Sequence, residues 1–406
     1  MRHESKAVIG MMQLAGAVVA CCLVTALPGS AAPVSQGNVV VFRAGSGANT
    51  LSNLGNNVFL DEFTPAGLLV QSIEINSTGT GTKLVVAGNA ITEGGLSISP
   101  DGQWIGFAGY NSGTGAASSL SGATSAVVPR VAGVLNTTTG SYSLTPTGTW
   151  FSGVSIRSAS SPDGNRIFAS GASNGLVFGT ADGAATFQSI SGTNTGTNLR
   201  WLGQYGNELF VSAATGTWPT VGLFTGNPLV SATATGLVAQ PNIPQQGGSP
   251  TTSRYGFVYL DTNPVVPGLD TMYVADDSLT DGGVTKYLLG TSGTWSKSGQ
   301  LTRTGTDNYR GLTASFDGTN VTLFGTWKST NASGGAISQL FSFTDANAAT
   351  STLTGSSTDL TILATSGVNQ VFRGVVYVVP EPGTAALLAA AALGGGLLWR
   401  RRQRLQ

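Results

Sequence analysis

One short pattern recurs down the chain and limits what the chain can fold into. It is clearest at 309–327, where a run opened by Tyr309-Arg310-Gly311 is followed by a turn at Asp317-Gly318 and a second run of alternating apolar and polar residues. A side-chain period of two residues on both sides of an Asp-Gly turn predicts a β-hairpin. Similar patterns surround Pro100-Asp101-Gly102 and Pro162-Asp163-Gly164. The chain is therefore predicted to repeat one antiparallel unit.

The composition supports many short strands. Of the 406 residues, 58 are glycine and only 9% are charged, whereas 41% are hydrophobic. Glycine suits the turns, and the hydrophobic share gives the chain the apolar surface that disordered chains lack. A length that would suit two or three domains can be filled by one repeat unit.

The two ends of the repeat region complement each other. Three strands are predicted in 38–75, where later repeats have four, and Phe372-Arg373-Gly374 opens a strand with no hairpin partner after it. Pairing these ends would close a ring and remove exposed sheet edges. We therefore predict an all-β fold, a single β-propeller of six four-stranded blades; five or seven remain open because 222–242 has no clear pattern. Outer hairpins are predicted at 133–144, 176–190, 285–301 and 337–353.

The first 32 residues predict an export signal with a signal helix. Two basic residues precede an apolar run, 7–27, and the small residues that follow suit signal peptidase, with cleavage after Ala31. A lipoprotein signal is the alternative, because Val18-Val19-Ala20-Cys21 loosely matches a lipobox. The predicted domains are thus a signal peptide (1–32), a propeller (33–379) and a C-terminal tail (380–406).

The tail has three parts in order. Val379-Pro380-Glu381-Pro382 precedes an apolar segment, 383–399, at the short limit for a transmembrane helix. The basic cluster that ends the tail would stay on the cytoplasmic side. Its members are Arg400, Arg401, Arg402 and Arg404. A plain membrane anchor is the alternative interpretation.

This tail resembles the PEP-CTERM sorting signal of Gram-negative bacteria. The resemblance implies export, transient anchoring in the inner membrane by the C-terminal helix, and processing by an exosortase-type enzyme. It also implies delivery to the cell surface or extracellular matrix of a bacterium that makes exopolysaccharide, as in a biofilm. The body, through 41–45, 58–63 and 272–277, is similar to uncharacterised exported bacterial β-propeller proteins, from which no activity carries over.

A set of arginines opens the first strands of successive predicted blades, with Glu93 in the remaining blade. The set is Arg157, Arg200, Arg254, Arg310 and Arg373. If the inner strands begin at one face, these side chains would converge near one mouth of the central channel. Guanidinium groups bind planar anions through two hydrogen bonds, so an acidic extracellular polysaccharide is the predicted ligand. The alternative is that each arginine pairs with a neighbouring blade.

Charge and residue types restrict the chemistry. The 33–379 region has 17 acidic and 13 basic residues, so it has no basic footprint for nucleic acid. The only histidine, His3, and both cysteines, Cys21 and Cys22, precede it, which excludes the usual nucleophile and base pairings. The aspartates of 270–283 fit no calcium loop, and we predict no metal, cofactor or catalytic residue.

A glycan-cleaving propeller enzyme, sialidase-like or a lyase, is the alternative to a non-catalytic surface protein. Gly-Thr-Trp occurs at 148–150, 216–218, 293–295 and 325–327 and resembles the ends of sialidase Asp-boxes. The Ser-x-Asp-x-Gly that should precede each one is absent. We therefore predict a non-catalytic protein of the surface or matrix.

Overall fold

The computed structural model describes residues 31–115, 119–190, 198–213, 221–231, 236–239, 253–278, 282–303, 308–328 and 337–379. The predicted signal helix and the predicted tail helix lie outside these residues. Within them, none of the helices has the length and apolar character needed to cross a bilayer.

The regular secondary structure of the described residues is almost entirely β-strand, with one short helix, α1 (Pro228–Ser231), and one 3-10 turn, Ser357–Asp359. Its strands are β1 (Val39–Ala44), β2 (Val58–Phe63), β3 (Leu69–Glu74), β4 (Ser97–Ile98), β5 (Trp104–Tyr110), β6 (Arg130–Asn136), β7 (Tyr142–Pro146), β8 (Ile156–Ser160), β9 (Arg166–Gly171), β10 (Leu176–Thr180), β11 (Gln188–Ser189), β12 (Leu199–Tyr205), β13 (Glu208–Ala213), β14 (Val221–Thr225), β15 (Gly236–Ala239), β16 (Arg254–Leu260), β17 (Thr271–Asp276), β18 (Gly283–Leu289), β19 (Trp295–Thr302), β20 (Asn308–Phe316), β21 (Val321–Lys328), β22 (Ser338–Asp345), β23 (Leu353–Ser356), β24 (Thr361–Thr365) and β25 (Val371–Tyr377).

These strands form six sheets, the blades of a propeller. Blade 1 has the order β25-β1-β2-β3, and blades 2 to 6 begin with the inner strands β4, β8, β12, β16 and β20. The ends of the body therefore share one sheet, in which Val40 pairs with Val376 and Val41 with Val375. The predicted six blades and their closure by the terminal strands are confirmed.

The apolar core lies between adjacent blades. Val39 and Val41 belong to a cluster with Phe324 of blade 6, whereas Val40 belongs to a cluster with Ile105 of blade 2. Successive side chains of a strand point to opposite faces, so a blade packed on both sides needs apolar residues at every position. This explains why β1 begins with four consecutive apolar residues, Val39 to Phe42.

The inner strands of blades 6, 1 and 2 approach each other backbone to backbone. A Cβ atom on Gly311 would lie 2.4 Å from the carbonyl oxygen of Arg373, and one on Gly374 would lie 2.5 Å from that of Gly94. Glycine is required at these positions because no side chain fits between the strands.

The prediction of an outer hairpin at 337–353 is wrong. β22 pairs with β24, while β23 leaves its own blade and pairs in parallel with β19 of blade 5. A buried ion pair accompanies this exchange: Lys286 Nζ of β18 lies 2.7 Å from Asp345 Oδ2 at the end of β22. The other three outer hairpins are confirmed as β6–β7, β10–β11 and β18–β19.

We predict that Gly311→Ala destabilises the propeller by about 1–3 kcal/mol, the usual effect of overpacking, because the added methyl group collides with the backbone of β25. The measurement is the free energy of unfolding in urea. Gly122→Ala is the matched control, since a Cβ there would meet nothing closer than 3.8 Å. Equal stability of the Gly311→Ala protein and the control would contradict the close strand approach.

Candidate functional site

A shift of the pairing register occurs near the start of every inner strand except β4. The shifts lie between Ile156 and Ser158, between Leu199 and Leu202, between Arg254 and Phe257, between Tyr309 and Gly311, and between Val375 and Phe372 in the pairing with β1. Such a β-bulge leaves a residue out of the ladder and redirects its side chain. The residues at the shifts include Arg157, Arg200, Tyr255, Arg310 and Arg373.

These side chains and Glu93 form one group, which we call the arginine cluster. Arg200 Cζ lies 3.9 Å and Arg310 Cζ 5.4 Å from the ring centroid of Tyr255. Arg373 Nη1 lies 4.0 Å from Glu93 Oε2. The nearby charge of Arg200 contributes to lowering the pKa of Arg157, and that of Arg310 contributes to lowering the pKa of Arg373. The structure thus brings together four of the five predicted arginines.

Arg254 lies outside this group. Its Nη2 donates to the Tyr287 hydroxyl at 3.4 Å within blade 5, and its neighbour Tyr255 occupies the position in the cluster. The signal for Tyr255 was present in the sequence. Aligning the repeats on Gly256, Gly311 and Gly374 places Tyr255, not Arg254, opposite the other arginines.

The arginines of the cluster link neighbouring blades, as the alternative interpretation proposed. Arg157, Arg200 and Arg373 are only 8%, 8% and 4% exposed. Their partners and that of Arg310 lie on adjacent blades or the segments between them: Arg157 Nη1 donates to the Leu199 carbonyl (3.0 Å), Arg200 Nη1 to the Arg254 carbonyl (3.1 Å), Arg373 Nη2 to the Gly88 carbonyl (3.1 Å) and Arg310 Nε to Asp277 Oδ2 (3.1 Å).

Part of the donor capacity of the cluster is not used by the described residues. Within that part of the chain, no hydrogen-bond partner is present for Nε of Arg157, Nε of Arg200, Nε and Nη1 of Arg373, or the Tyr255 hydroxyl. A buried N–H group without an acceptor costs about 1–3 kcal/mol. These donors therefore favour binding of an acceptor that carries negative charge.

Burial is the largest cause of the pKa shifts of Arg157 and Arg373. It lowers the pKa of Arg157 to about 10, with a further lowering from Arg200. It also lowers the pKa of Arg373 to about 10, against the opposing effect of Glu93. Both guanidinium groups remain protonated at neutral pH, so the cluster keeps several cations beside the carboxylates of Glu93 and Asp277.

Glu93 is enclosed. It is 1% exposed, and its carboxylate accepts hydrogen bonds from the Tyr110 hydroxyl (2.6 Å) and the Ala87 backbone N–H (3.0 Å). Burial raises the pKa of Glu93, and Arg373 opposes that shift. Tyr110 is fully buried, and burial together with the charge of Glu93 raises its pKa. This pair therefore presents no open face to a substrate.

The aspartate of each of the three predicted Asp-Gly turns accepts hydrogen bonds within its own turn. Asp101 Oδ1 accepts from the Gln103 backbone N–H. Asp163 Oδ1 accepts from the backbone N–H groups of Asn165 and Arg166, and Asp317 Oδ1 accepts from those of Thr319 and Asn320. Among the described residues, no group of three or more His, Cys, Asp or Glu side chains could hold a metal ion.

Residues 378–402 match the PEP-CTERM protein-sorting motif. A search of curated proteins found no match. Solved structures similar to the chain include the β-propeller domain of the Trilobed protease from Pyrococcus furiosus, with 10% identity, 63% of this chain and 69% of that chain covered, and a TM-score of 0.31.

Two further solved structures are similar at the same level. A putative 6-phosphogluconolactonase from Bacteroides fragilis has 14% identity, with 83% of this chain and 97% of that chain covered and a TM-score of 0.39. Trypanosoma rangeli sialidase in complex with the inhibitor DANA has 8% identity, with 74% of this chain and 52% of that chain covered and a TM-score of 0.43. At such identities the similarity concerns the fold alone. The chain is a six-bladed β-propeller that ends in a PEP-CTERM sorting motif.

Proposed function

We propose that this protein is an exosortase-processed component of the cell surface or extracellular matrix, and that its propeller binds an acidic exopolysaccharide without cleaving it. The sorting motif at 378–402 carries the first part of this proposal. The arginine cluster supports the second part.

The connection between body and tail suits removal of the tail. The last described residues still belong to the fold, since the Val378 backbone N–H donates to the Asn38 carbonyl at 2.9 Å and the Gly37 N–H donates to the Val378 carbonyl at 2.8 Å. The ring is closed by β25, which ends at Tyr377. Cleavage within the tail would therefore leave every blade intact.

The unused donors of the arginine cluster support an anionic ligand. Guanidinium groups bind carboxylate and sulfate through strong, charge-assisted hydrogen bonds. The burial of Arg157, Arg200 and Arg373 limits the ligand to one small charged group, such as the carboxylate of a uronic acid or a sulfate ester. Arg310 is the most accessible cation of the cluster, with a side chain 11% exposed, and would make the first contact.

The placement of the carboxylates supports binding without cleavage. Glycosidic hydrolysis uses two carboxyl groups that flank the scissile bond. In the described part of the chain, Glu62 and Glu93 are buried among their own partners. Asp61 pairs with Arg43, and Asp345 pairs with Lys286.

Deleting 380–406 is expected to give a folded protein that the envelope no longer retains, because all six blades are complete in the residues before 380. The measurement is the distribution of the protein between envelope and soluble fractions, with circular dichroism as the check on folding. Replacing Glu381 and both flanking prolines by alanine in the full chain is the matched control for the motif itself. Unchanged envelope retention after the deletion would refute sorting by the tail.

Arg310→Gln is expected to weaken binding of uronate-containing or sulfated glycans by about tenfold or more, as loss of a charge-assisted hydrogen bond does. The measurement is a glycan array followed by titration of the retained glycan. Arg166→Gln is the matched control, because Arg166, the first residue of β9, pairs with Asp163 (2.7 Å) in the turn after the inner strand of blade 3, away from the cluster.

The array also separates the two classes of function. Binding of acidic glycans with no shortened product by mass spectrometry is the expected result. Release of product that stops when one Glu or Asp is neutralised would establish the glycan-cleaving alternative. Equal binding by the Arg310→Gln and Arg166→Gln proteins would exclude the arginine cluster as the glycan site.

A further inference from the structure

A cavity of about 260 Å³ lies at the opposite end of the propeller axis from the arginine cluster. It is lined by the C-terminal halves of the inner strands β12, β16, β20 and β25 and by β4. Trp201 separates the cavity from the cluster: its ring packs on Gly95 and its Nε1 donates to the Thr92 carbonyl at 3.3 Å across the axis. The two ends of the axis are therefore independent sites.

The wall of the cavity is mainly apolar, with one buried polar group. Leu202, Leu312 and Val376 are among the lining residues. Gln204 also lines the cavity and is 4% exposed. Its Nε2 donates to Ser160 Oγ, whereas its Oε1 has no hydrogen-bond partner among the described residues. A ligand that donates a hydrogen bond would satisfy this oxygen.

Several carboxylates lie at the end of the propeller where the cavity is found, and one of them lines the cavity. The turns and strand starts that follow five of the inner strands each carry a carboxylate: Asp101, Asp163, Glu208, Asp261 and Asp317. Asp261 is exposed and itself lines the cavity. In these five turns and strand starts the single basic residue is Arg166, which is paired with Asp163. The field at this end therefore attracts cations, opposite to the field of the arginine cluster.

Gln204 and Asp261 lie at a similar depth along the propeller axis. Gln204 is the penultimate residue of β12, and Asp261 directly follows β16. Both residues are thus near the mouth, whereas the side nearer Trp201 is apolar. A ligand with a cationic donor at one end and an apolar body at the other matches this order of groups.

We propose that the cavity binds a small primary amine with an apolar body. The ammonium group lies at the mouth, where it donates to Gln204 Oε1 and is attracted by Asp261. The apolar body extends toward Trp201. The volume is at the lower end of small-molecule sites, which favours a short alkyl chain.

The probe is n-hexylammonium, titrated by calorimetry into the full chain in nanodiscs of zwitterionic lipid, with empty nanodiscs subtracted. Hexanoate and hexanol are the matched ligands of the same length. We expect saturable binding of n-hexylammonium, a change in Trp fluorescence that Trp201→Phe removes, and no binding of hexanoate. Asp261→Asn is expected to weaken binding by about tenfold, the effect of losing a charge-assisted contact.

Asp182→Asn is the control variant, since Asp182 is an exposed carboxylate in the outer turn of blade 3. It should bind n-hexylammonium as the unchanged protein does. The proposal is overturned if hexanoate binds as tightly as n-hexylammonium, if the two Asp→Asn variants are weakened equally, or if no saturable binding occurs. None of these results bears on the arginine cluster, which lies beyond Trp201.

Discussion

The pairing of β25 with β1 is the constraint on which the rest of the structure depends. This antiparallel pairing joins residues 327 to 338 positions apart and turns an open row of blades into a ring. In the ring, each blade has a neighbour on both faces, so an apolar side chain on either face of a blade can be buried against the next blade. An open row would leave the Val39 and Val41 face of blade 1 exposed to water, at about 25 cal/mol for each Å² of apolar surface.

Closure also brings the inner strands together around one axis, with opposite charges at its ends. The bulges at the starts of these strands direct Arg157, Arg200, Arg310 and Arg373 toward a common region. Buried arginines of like charge repel one another, and the cross-blade hydrogen bonds and the carboxylates of Glu93 and Asp277 offset part of this cost. Among the described residues, several N–H groups of these arginines remain without a hydrogen-bond partner, and an anion would compensate them.

Much of the architecture could be predicted from the sequence. The missing strand in 38–75 and the unpaired strand opened by Phe372-Arg373-Gly374 indicated the closure, because a propeller blade needs four strands. The arginines that open the inner strands were also visible as a repeat. Their burial was not, because a strand pattern does not show how far a neighbouring blade covers a residue.

Two differences between the sequence predictions and the structure have local causes. Tyr255 was overlooked because an arginine, Arg254, stands one residue before it. The bulge of β16 lies where those of β12 and β20 lie, so Tyr255 takes the position that Arg200 and Arg310 hold there. β23 was assigned to its own blade because strand periodicity carries no information about the partner strand. The parallel pairing of β23 with β19 shows that the connection crosses to blade 5, and the ion pair between Lys286 and Asp345 lies beside it.

The most direct test of ring closure is a disulfide between Val40→Cys and Val376→Cys, in a chain whose Cys21 and Cys22 are replaced by serine. These positions are paired across β1 and β25, within reach of a disulfide. Under mild oxidation, mass spectrometry of the peptides should show a Val40→Cys to Val376→Cys link. A register-shifted control, Val40→Cys with Val378→Cys, should stay reduced, because diagonal positions lie about 7–8 Å apart. Free thiols in the first protein, or equal linkage in both, would contradict the closed ring.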